Sequence, residues 1–391
     1  MKLDGLKVLD LSAFLPGPHM TMMMADHGAD VIMIEPANGL GEPVREIGEK
    51  TADGVSVWFR NVARGKRSLK LNLKTEAGLD LFHRLAAQAD VVVEAFRPGV
   101  VKRLGVDYET LKALNPSLVY CSISAFGQDS SLATKPAHDL TVQGLAGLVD
   151  LNRGQDDLPA MPSIPFADAS ASLMALSAIL MALYRRTQTG EGDYIDLSMF
   201  DAAIAWTPNV LGPTFAEGRA PVPKDMRSFG GSAMYNLYRT SDDEFIILGG
   251  SEVKFAENLL TALGREDLTP YAKVPPGPGQ APLREFFKVR FAERTLAEWK
   301  EFLAGVDCCW SWVRSLQEAF DDPFTAERGM VFTDAAGHPP YRPGHQVCKR
   351  AGPARRCSPR LWGALGRHCE IGWPVSRRCV RLEEGRQHLG I

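Results

Sequence analysis

The sequence predicts an α/β protein: a mostly parallel sheet covered on both faces by helices, followed by a smaller α+β domain. Three observations carry this. Short apolar runs alternate with helix-patterned stretches through the first third of the chain. A segment rich in Gly, Pro and charge, GPTFAEGRAPVPKDMRSFGGS at 212–232, then interrupts the pattern as a linker. Beyond it the chain restarts with two neighbouring extended runs and further helices.

In chain order, KVLDLS (7–12) is an apolar strand, the turn at Pro16-Gly17-Pro18 leads into a helix to about His27, and ADVIMIE (29–35) is the next strand. This strand–turn–helix–strand unit is the building block of doubly wound sheets. SLKLNL (68–73) is a third strand, and TEAGLDLFHRLAAQA (75–89) places Leu79, Leu81, Phe82, Leu85 and Ala86 at helical spacing. ADVVVEAF (89–96) and LVYCSISAF (118–126) read as buried strands. From about 137 to 210 the pattern is mainly helical, broken by MPSIPFAD (161–168); YIDLSMFDAAIAW (194–206) fits either a strand or a helix at its start. MYNLYRT (234–240) and EFIILGG (244–250) read as an antiparallel pair, with helices at about 252–263 and 295–305. The organisation expected is a large domain over 1–210, a linker over 211–232, a small domain over 233–325 and a return to the large domain over 326–391.

Composition narrows the function classes. The 391 residues are 45% hydrophobic and 23% charged, as in ordinary globular proteins. A net charge of -3 argues against nucleic acid as the main partner. The most apolar stretch, ASASLMALSAILMALY (169–184), carries three serines and ends at Arg185-Arg186, so it reads as a buried helix and not a membrane span. The N-terminus has acids early and no apolar secretory core, which makes the cytoplasm the expected location.

Several motifs bear on chemistry. The first turn, SAFLPGP, lacks the G-x-G-x-x-G that brings backbone amides onto a pyrophosphate, so NAD and FAD are not expected. NVARGKRSLKLNLK (61–74) gathers Arg64, Lys66, Arg67, Lys70 and Lys74 around one strand, and EAFRPGVVKR (94–103) adds Arg97, Lys102 and Arg103 beyond another. Each loop alone is consistent with a solvated basic edge. Two of them at strand ends suit a ligand with several phosphates, since open α/β sheets bind ligands there. Asp168 precedes a small-residue helix and reads as its N-cap, a role compatible with catalysis. His138 beside Asp139 is either a structural histidine or a proton carrier. MTMMMAD (20–26) reads as core. No C-x-x-C pair occurs among the seven cysteines, so no metal site is expected.

Longer strings then carry a resemblance. GLKVLDLSAFLPGPHMTMMMADHGADVIMIEP, N-x-x-R-G-K-R-S at 61–68, the FRPG turn at 96–99, LGVDYETLKALNPSLVYCSISAFGQ at 104–128 and RRTQTGEGDYIDLSMFDA at 185–202 resemble the family III CoA-transferases (CaiB/BaiF), whose members include α-methylacyl-CoA racemases. The resemblance runs from residue 5 to about 335. It implies a Rossmann-like large domain, a small domain and an interlocked homodimer. It also implies an acyl-CoA substrate with no cofactor beyond that CoA, which accounts for the two basic loops. CoA contacts would fall on Leu71, Lys74, Phe96 and Arg103, with Arg97 a plausible addition.

Two chemistries compete within the resemblance. In transferases an aspartate matching Asp168 attacks the thioester and moves CoA to a carboxylate. In racemases two bases on opposite faces remove and return the proton α to the thioester. There His138-Asp139, Asp168 and Glu252, the last supporting Asp168, all have matches here, with the enolate charge resting on a helix N-terminus. The early P-G-P looks racemase-like, whereas DLTVQGLAG (139–147) reads partly transferase-like. His138 tips the reading to the racemase. A third class is a CoA-binding paralogue that kept the fold and lost the activity.

The C-terminal segment departs from all of this. Residues 339–391 hold 11 Lys+Arg against 3 Asp+Glu, so that of the chain's 44 and 47 the first 338 residues keep 33 and 44. Arg, Cys, Pro, Gly and Trp rise together while periodicity fades. This fits a reading-frame shift near residue 338; the alternative is a genuine basic tail that binds something acidic.

Overall fold

A computed structural model of the chain describes residues 1–154 and 156–331, together with the backbone of 361–362. The origin of the tail from about 338 onward therefore lies outside the described residues. The Cα positions fall into two compact units. One comprises Met1–Ala146, Ile164–Trp206 and the described residues from Glu327 onward; the other comprises Gly147–Ser163 and Thr207–Ala326.

The first unit is built on parallel strands β1 (Lys7–Leu11), β2 (Asp30–Pro36), β3 (Arg67–Leu71), β4 (Val91–Glu94), β5 (Val119–Ser124) and β6 (Asp193–Ser198). Their spatial order is β3-β2-β1-β4-β5-β6 and every pair is parallel. Val8 lies opposite both Val31 and Val91, so the chain reverses its direction of winding between β1 and β4. The Val- and Ile-rich runs form strands because both faces are covered: all four residues of β4 are buried. Edge strand β6 instead alternates half-buried and exposed positions before ending in buried Leu197 and Ser198. The stretch at 194–206 is thus both of the options the sequence left open, strand to Ser198 and helix over Met199–Ile204.

Two packed layers hold the sheet. Leu9, Ile32, Ile34, Val92 and Tyr120 face Phe82 and Leu85 of the helix Glu76–Ala86 and Leu111 of the helix Tyr108–Leu114. Met33, one residue out of step with Ile32 and Ile34, points to the other face and packs with Val44, Phe59 and Val62. Met20, Met22, Met23 and Met24 of the helix Pro16–Asp26 are buried, as expected of core. The long helix Phe166–Thr189 docks beside it, Ser172 Oγ donating to the Pro16 carbonyl at 2.7 Å. Among the described residues it is the one helix long and apolar enough to cross a membrane, but Ala167, Ser170, Ala171, Ala175 and Ile179 are buried inside the protein.

Strand ends share one device. Asp10 on β1 accepts the Ser12 amide at 3.0 Å, Glu35 on β2 accepts the Glu42 amide at 2.7 Å, and Glu94 on β4 accepts the Phe96 amide at 2.8 Å. Asp196 on β6 takes the Gln128 amide at 2.9 Å with one of its oxygens. A carboxylate on a strand thus fixes a loop at the carboxyl edge of the sheet by satisfying amides that the sheet leaves unpaired.

The second unit has an antiparallel sheet of β7 (Tyr235–Arg239), β8 (Phe245–Gly249) and β9 (Trp310–Trp312), in that order. The β7–β8 hairpin matches the two extended runs of the sequence; the three-residue β9 is too short to leave a period. Its core packs Trp299, Phe287, Phe291 and Tyr238, with Trp299 Nε1 donating to the Phe291 carbonyl at 2.9 Å. The presumed linker is not featureless: it contains the helix Gly212–Glu217 and the turns Pro223–Asp225 and Arg227–Phe229. Gly147–Ser163, read from sequence within the large domain, clusters with this unit, where Asp157 pairs with Lys224 at 2.7 Å. A short strand β10 (Leu361–Trp362) runs parallel beside β3 and makes the large sheet seven-stranded.

Candidate active site

The site begins at the loop after β1. Asp10 is fully buried and accepts from the hydroxyls of Ser12 and Thr21 and from Lys66 Nζ at 3.0 Å. Lys66, equally buried, also donates to the Pro18 carbonyl at 2.8 Å. Burial drives the Lys66 pKa down and Asp10 opposes it. Gly17 is required here, because a Cβ would collide with the Ser12 side chain. The loop then holds Phe14 in the left-handed region, φ 64°, with its amide on Glu42 Oε1 at 2.8 Å. The Phe14 ring meets the His138 imidazole edge-on, centroids 5.8 Å apart at 82°.

His138 is exposed and is the N-cap residue of the helix Asp139–Leu145 without capping it by its side chain. Asp139 does the more consequential work. Its Oδ1 accepts the amides of Ala167 at 2.7 Å and of Asp168 at 3.1 Å, and its Oδ2 accepts Gln143 Nε2 at 2.6 Å. Asp139 is therefore the cap of the long helix, supplied from 28 residues upstream. Two sequence expectations are corrected by this. The N-cap residue of that helix is Pro165, and Asp168 sits inside the first turn. The amides of Ala167 and Asp168 are already occupied, so they are not open to receive an enolate.

The same bonds join the chain just after His138 to the backbone of Asp168. The Asp168 carboxylate accepts no hydrogen bond among the described residues. Burial, and then the Asp139 charge, raise its pKa from 3.8 to about 7. A carboxyl poised near neutrality can both take and give a proton.

Of the residues expected to contact CoA, Leu71 ends β3 and the others follow β3 or β4, at the carboxyl edge of the same sheet. Leu71 and Phe96 belong to one hydrophobic cluster; Leu71 is 3% exposed and so offers a ligand almost no surface. Lys74, Arg97 and Arg103 are exposed. Arg103 folds back over the FRPG turn, its Nη1 3.6 Å from where a Cβ on Gly99 would stand. Burial raises Glu94, beneath this turn, to about 7, against the bonds from Ser122 and the Phe96 amide.

Comparison with known proteins matches the model of CoA-transferase family III over residues 3–360. The chain belongs to that family. It is 32% identical to alpha-methylacyl-CoA racemase of Mus musculus over 345 residues, 88% of this chain and 86% of the relative. It is 38% identical to acetyl-CoA:oxalate CoA-transferase of Acetobacter aceti over 266 residues, 68% of this chain and 67% of the relative. Among solved structures it resembles a CAIB/BAIF family protein from Brucella suis, with a TM-score of 0.80 and 31% identity over 92% of this chain and 96% of that one.

Within this family III chain, Glu252 lies in the second unit as the exposed N-cap residue of the helix Val253–Ala262, its side chain making no cap bond. Sequence reasoning missed Phe14, Glu42 and the capping role of Asp139. A positive φ at phenylalanine leaves no mark in composition, and the Asp139 bonds join segments far apart in the chain. The one available signal was the His-Asp pair itself, which was read for its first member only.

Proposed function

We propose that this enzyme inverts the α-carbon of a 2-methyl-branched acyl-CoA by two-base proton transfer, with Asp168 and His138 as the bases. The observation that supports the reading is the bond of Asp139 to the Asp168 amide at 3.1 Å, which joins the segment bearing His138 to the first turn of the helix bearing Asp168. For one epimer the Asp168 carboxylate takes the α-proton, the electron pair moves onto the thioester oxygen, and the His138 imidazolium returns a proton to the opposite face. For the other epimer the roles reverse. One C–H bond breaks as an O–H bond forms on Asp168, another C–H forms as an N–H bond of His138 breaks, and no redox partner is needed. A carboxyl near pH 7 suits this exchange better than it suits a nucleophile, which must stay ionised. CoA would be held by Lys74, Arg97 and Arg103 with Phe96 and the backbone around Leu71. The enzyme would act as a homodimer, seen as a solution mass of two chains.

The test is incubation of the purified protein with a panel of 2-methylacyl-CoA thioesters in deuterated water, with no acceptor acid. Deuterium entering at the α-carbon, and equilibration of the two epimers, are the expected results. The second reading, CoA transfer to a carboxylate, is favoured by the 38% identity to the oxalate transferase. It would appear as transfer that depends on an added acid, with a hydroxylamine-trappable thioester at Asp168, and would overturn the first. Substituting His138 by alanine separates the two, stopping epimerisation while sparing transfer. CoA binding without either reaction identifies an inactive paralogue.

A further inference from the structure

Among the described residues, three that are not glycine have positive φ: Phe14, Asp157 and Asp243. Aspartate tolerates that conformation; phenylalanine does not, and holding it there costs of order 1–3 kcal/mol that neighbouring structure must offset. Such strain marks places where a side chain is aimed. Phe14 is also 38% exposed, so core packing is not what it serves. Its amide is held by Glu42, which is 4% exposed. Glu42 is itself held: its amide donates to Glu35 Oε2, and Glu35 is gripped by Arg45 Nε at 2.8 Å and Nη2 at 2.6 Å. The outer end of this chain of contacts is the Phe14 ring against His138.

We propose that Glu42 is a positioning residue for His138, acting through the strained Phe14 whose ring it aims at the imidazole. The inference rests on His138 belonging to the reacting pair. Glu42 fixes the one amide that defines the loop conformation; the loop fixes the ring; the ring limits where the imidazole can stand. The carboxyl is also placed to respond to pH. Burial raises it to about 7, Asp10 adds to the rise, and the Phe14 and Val44 amides and the Lys66 charge oppose it. Glu35, paired with Arg45, is the further charged group beside Glu42, where it takes the Glu42 amide. Protonation below that point removes the charge from the bond to the Phe14 amide and loosens the aim of the ring.

The experiment uses the full chain and three variants, Glu42→Ala, Glu42→Gln and Phe14→Ala. It reads the His138 ring resonances by NMR without substrate, and kcat and KM for α-proton exchange. Glu42→Ala is expected to shift the His138 resonances and to lower kcat by about 10²-fold, the scale set by misplacing a reacting group by an ångström, with KM changed by less than about threefold. Glu42→Gln retains an acceptor oxygen but not the charge, and is expected to recover only part of that loss. Phe14→Ala is expected to shift the same resonances without disturbing the buried carboxyl. It carries the test if Glu42→Ala does not fold. Unchanged His138 resonances in folded Phe14→Ala protein would overturn the proposal. If the wild type exchanges no α-proton, the proposed reaction falls, and the resonances still decide whether Glu42 positions His138.

Discussion

At the scale of single residues, the proposed chemistry turns on a carboxyl that burial holds near neutrality. Asp168 is raised from 3.8 to about 7 by burial and by Asp139. If it is the base, the acidic limb of kcat/KM for α-proton exchange has its midpoint near 7; a limb near 4 would remove Asp168 from the role. The stability consequence has a definite sign. Unfolded, this carboxyl ionises near 3.8, but folded it stays protonated to about 7. Its contribution to stability is therefore complete below 3.8 and is lost as pH rises to about 7. Glu42 and Glu94, raised from 4.5 to about 7, act in the same direction. Replacing Asp168 by asparagine is expected to stabilise the protein at pH 8 by on the order of 2 kcal/mol, partial exposure trimming the full linkage value. At pH 3.5 the gain should vanish. Urea unfolding at the two pH values measures it, and equal effects at both would mean the carboxyl is not raised.

At the scale of elements, the decisive contact is a cap delivered across the fold. Asp139 satisfies two amides of the helix that bears Asp168, and its charge also pushes Asp168 up. The two roles separate by substitution. Asp139→Asn keeps an acceptor oxygen but removes the charge, so the acidic limb should move to lower pH while the melting temperature holds. Asp139→Ala removes both, and should cost about 1 kcal/mol of stability in addition. Thermal melts paired with pH–rate profiles check this. A limb that stays at 7 in both variants would assign the whole shift to burial. Much at this scale was legible beforehand. The strand runs near 7–12, 29–35, 68–73, 89–96 and 118–126 appear close to where they were read, because strands buried on both faces need continuous apolar sequence. The break before Phe166 was visible in its prolines, but the capping partner was not, because hydrogen bonds over such separations follow no local pattern.

At the scale of the whole molecule, the parallel sheet gathers onto one edge loops that lie far apart in the chain. The buried Asp10–Lys66 pair ties β1 to the segment leading into β3 and also grips the Pro18 carbonyl. Lys66→Met should cost about 3–5 kcal/mol, because it leaves Asp10 buried with its charge uncompensated. Adding Asp10→Asn to that variant should restore part of the loss, and chemical denaturation of the single and double variants reads the coupling. A single variant as stable as the wild type would mean that water reaches the pair. By itself the sequence determined the fold class and the family, since apolar periodicity and ordered motifs are local and survive in one dimension. Only the tertiary structure decided that Asp139 caps the helix of Asp168, that a strained Phe14 faces His138, and that Glu42 lies beneath it. Those facts are distances between segments, and burial, which sets the proton affinities, exists only once the chain has folded.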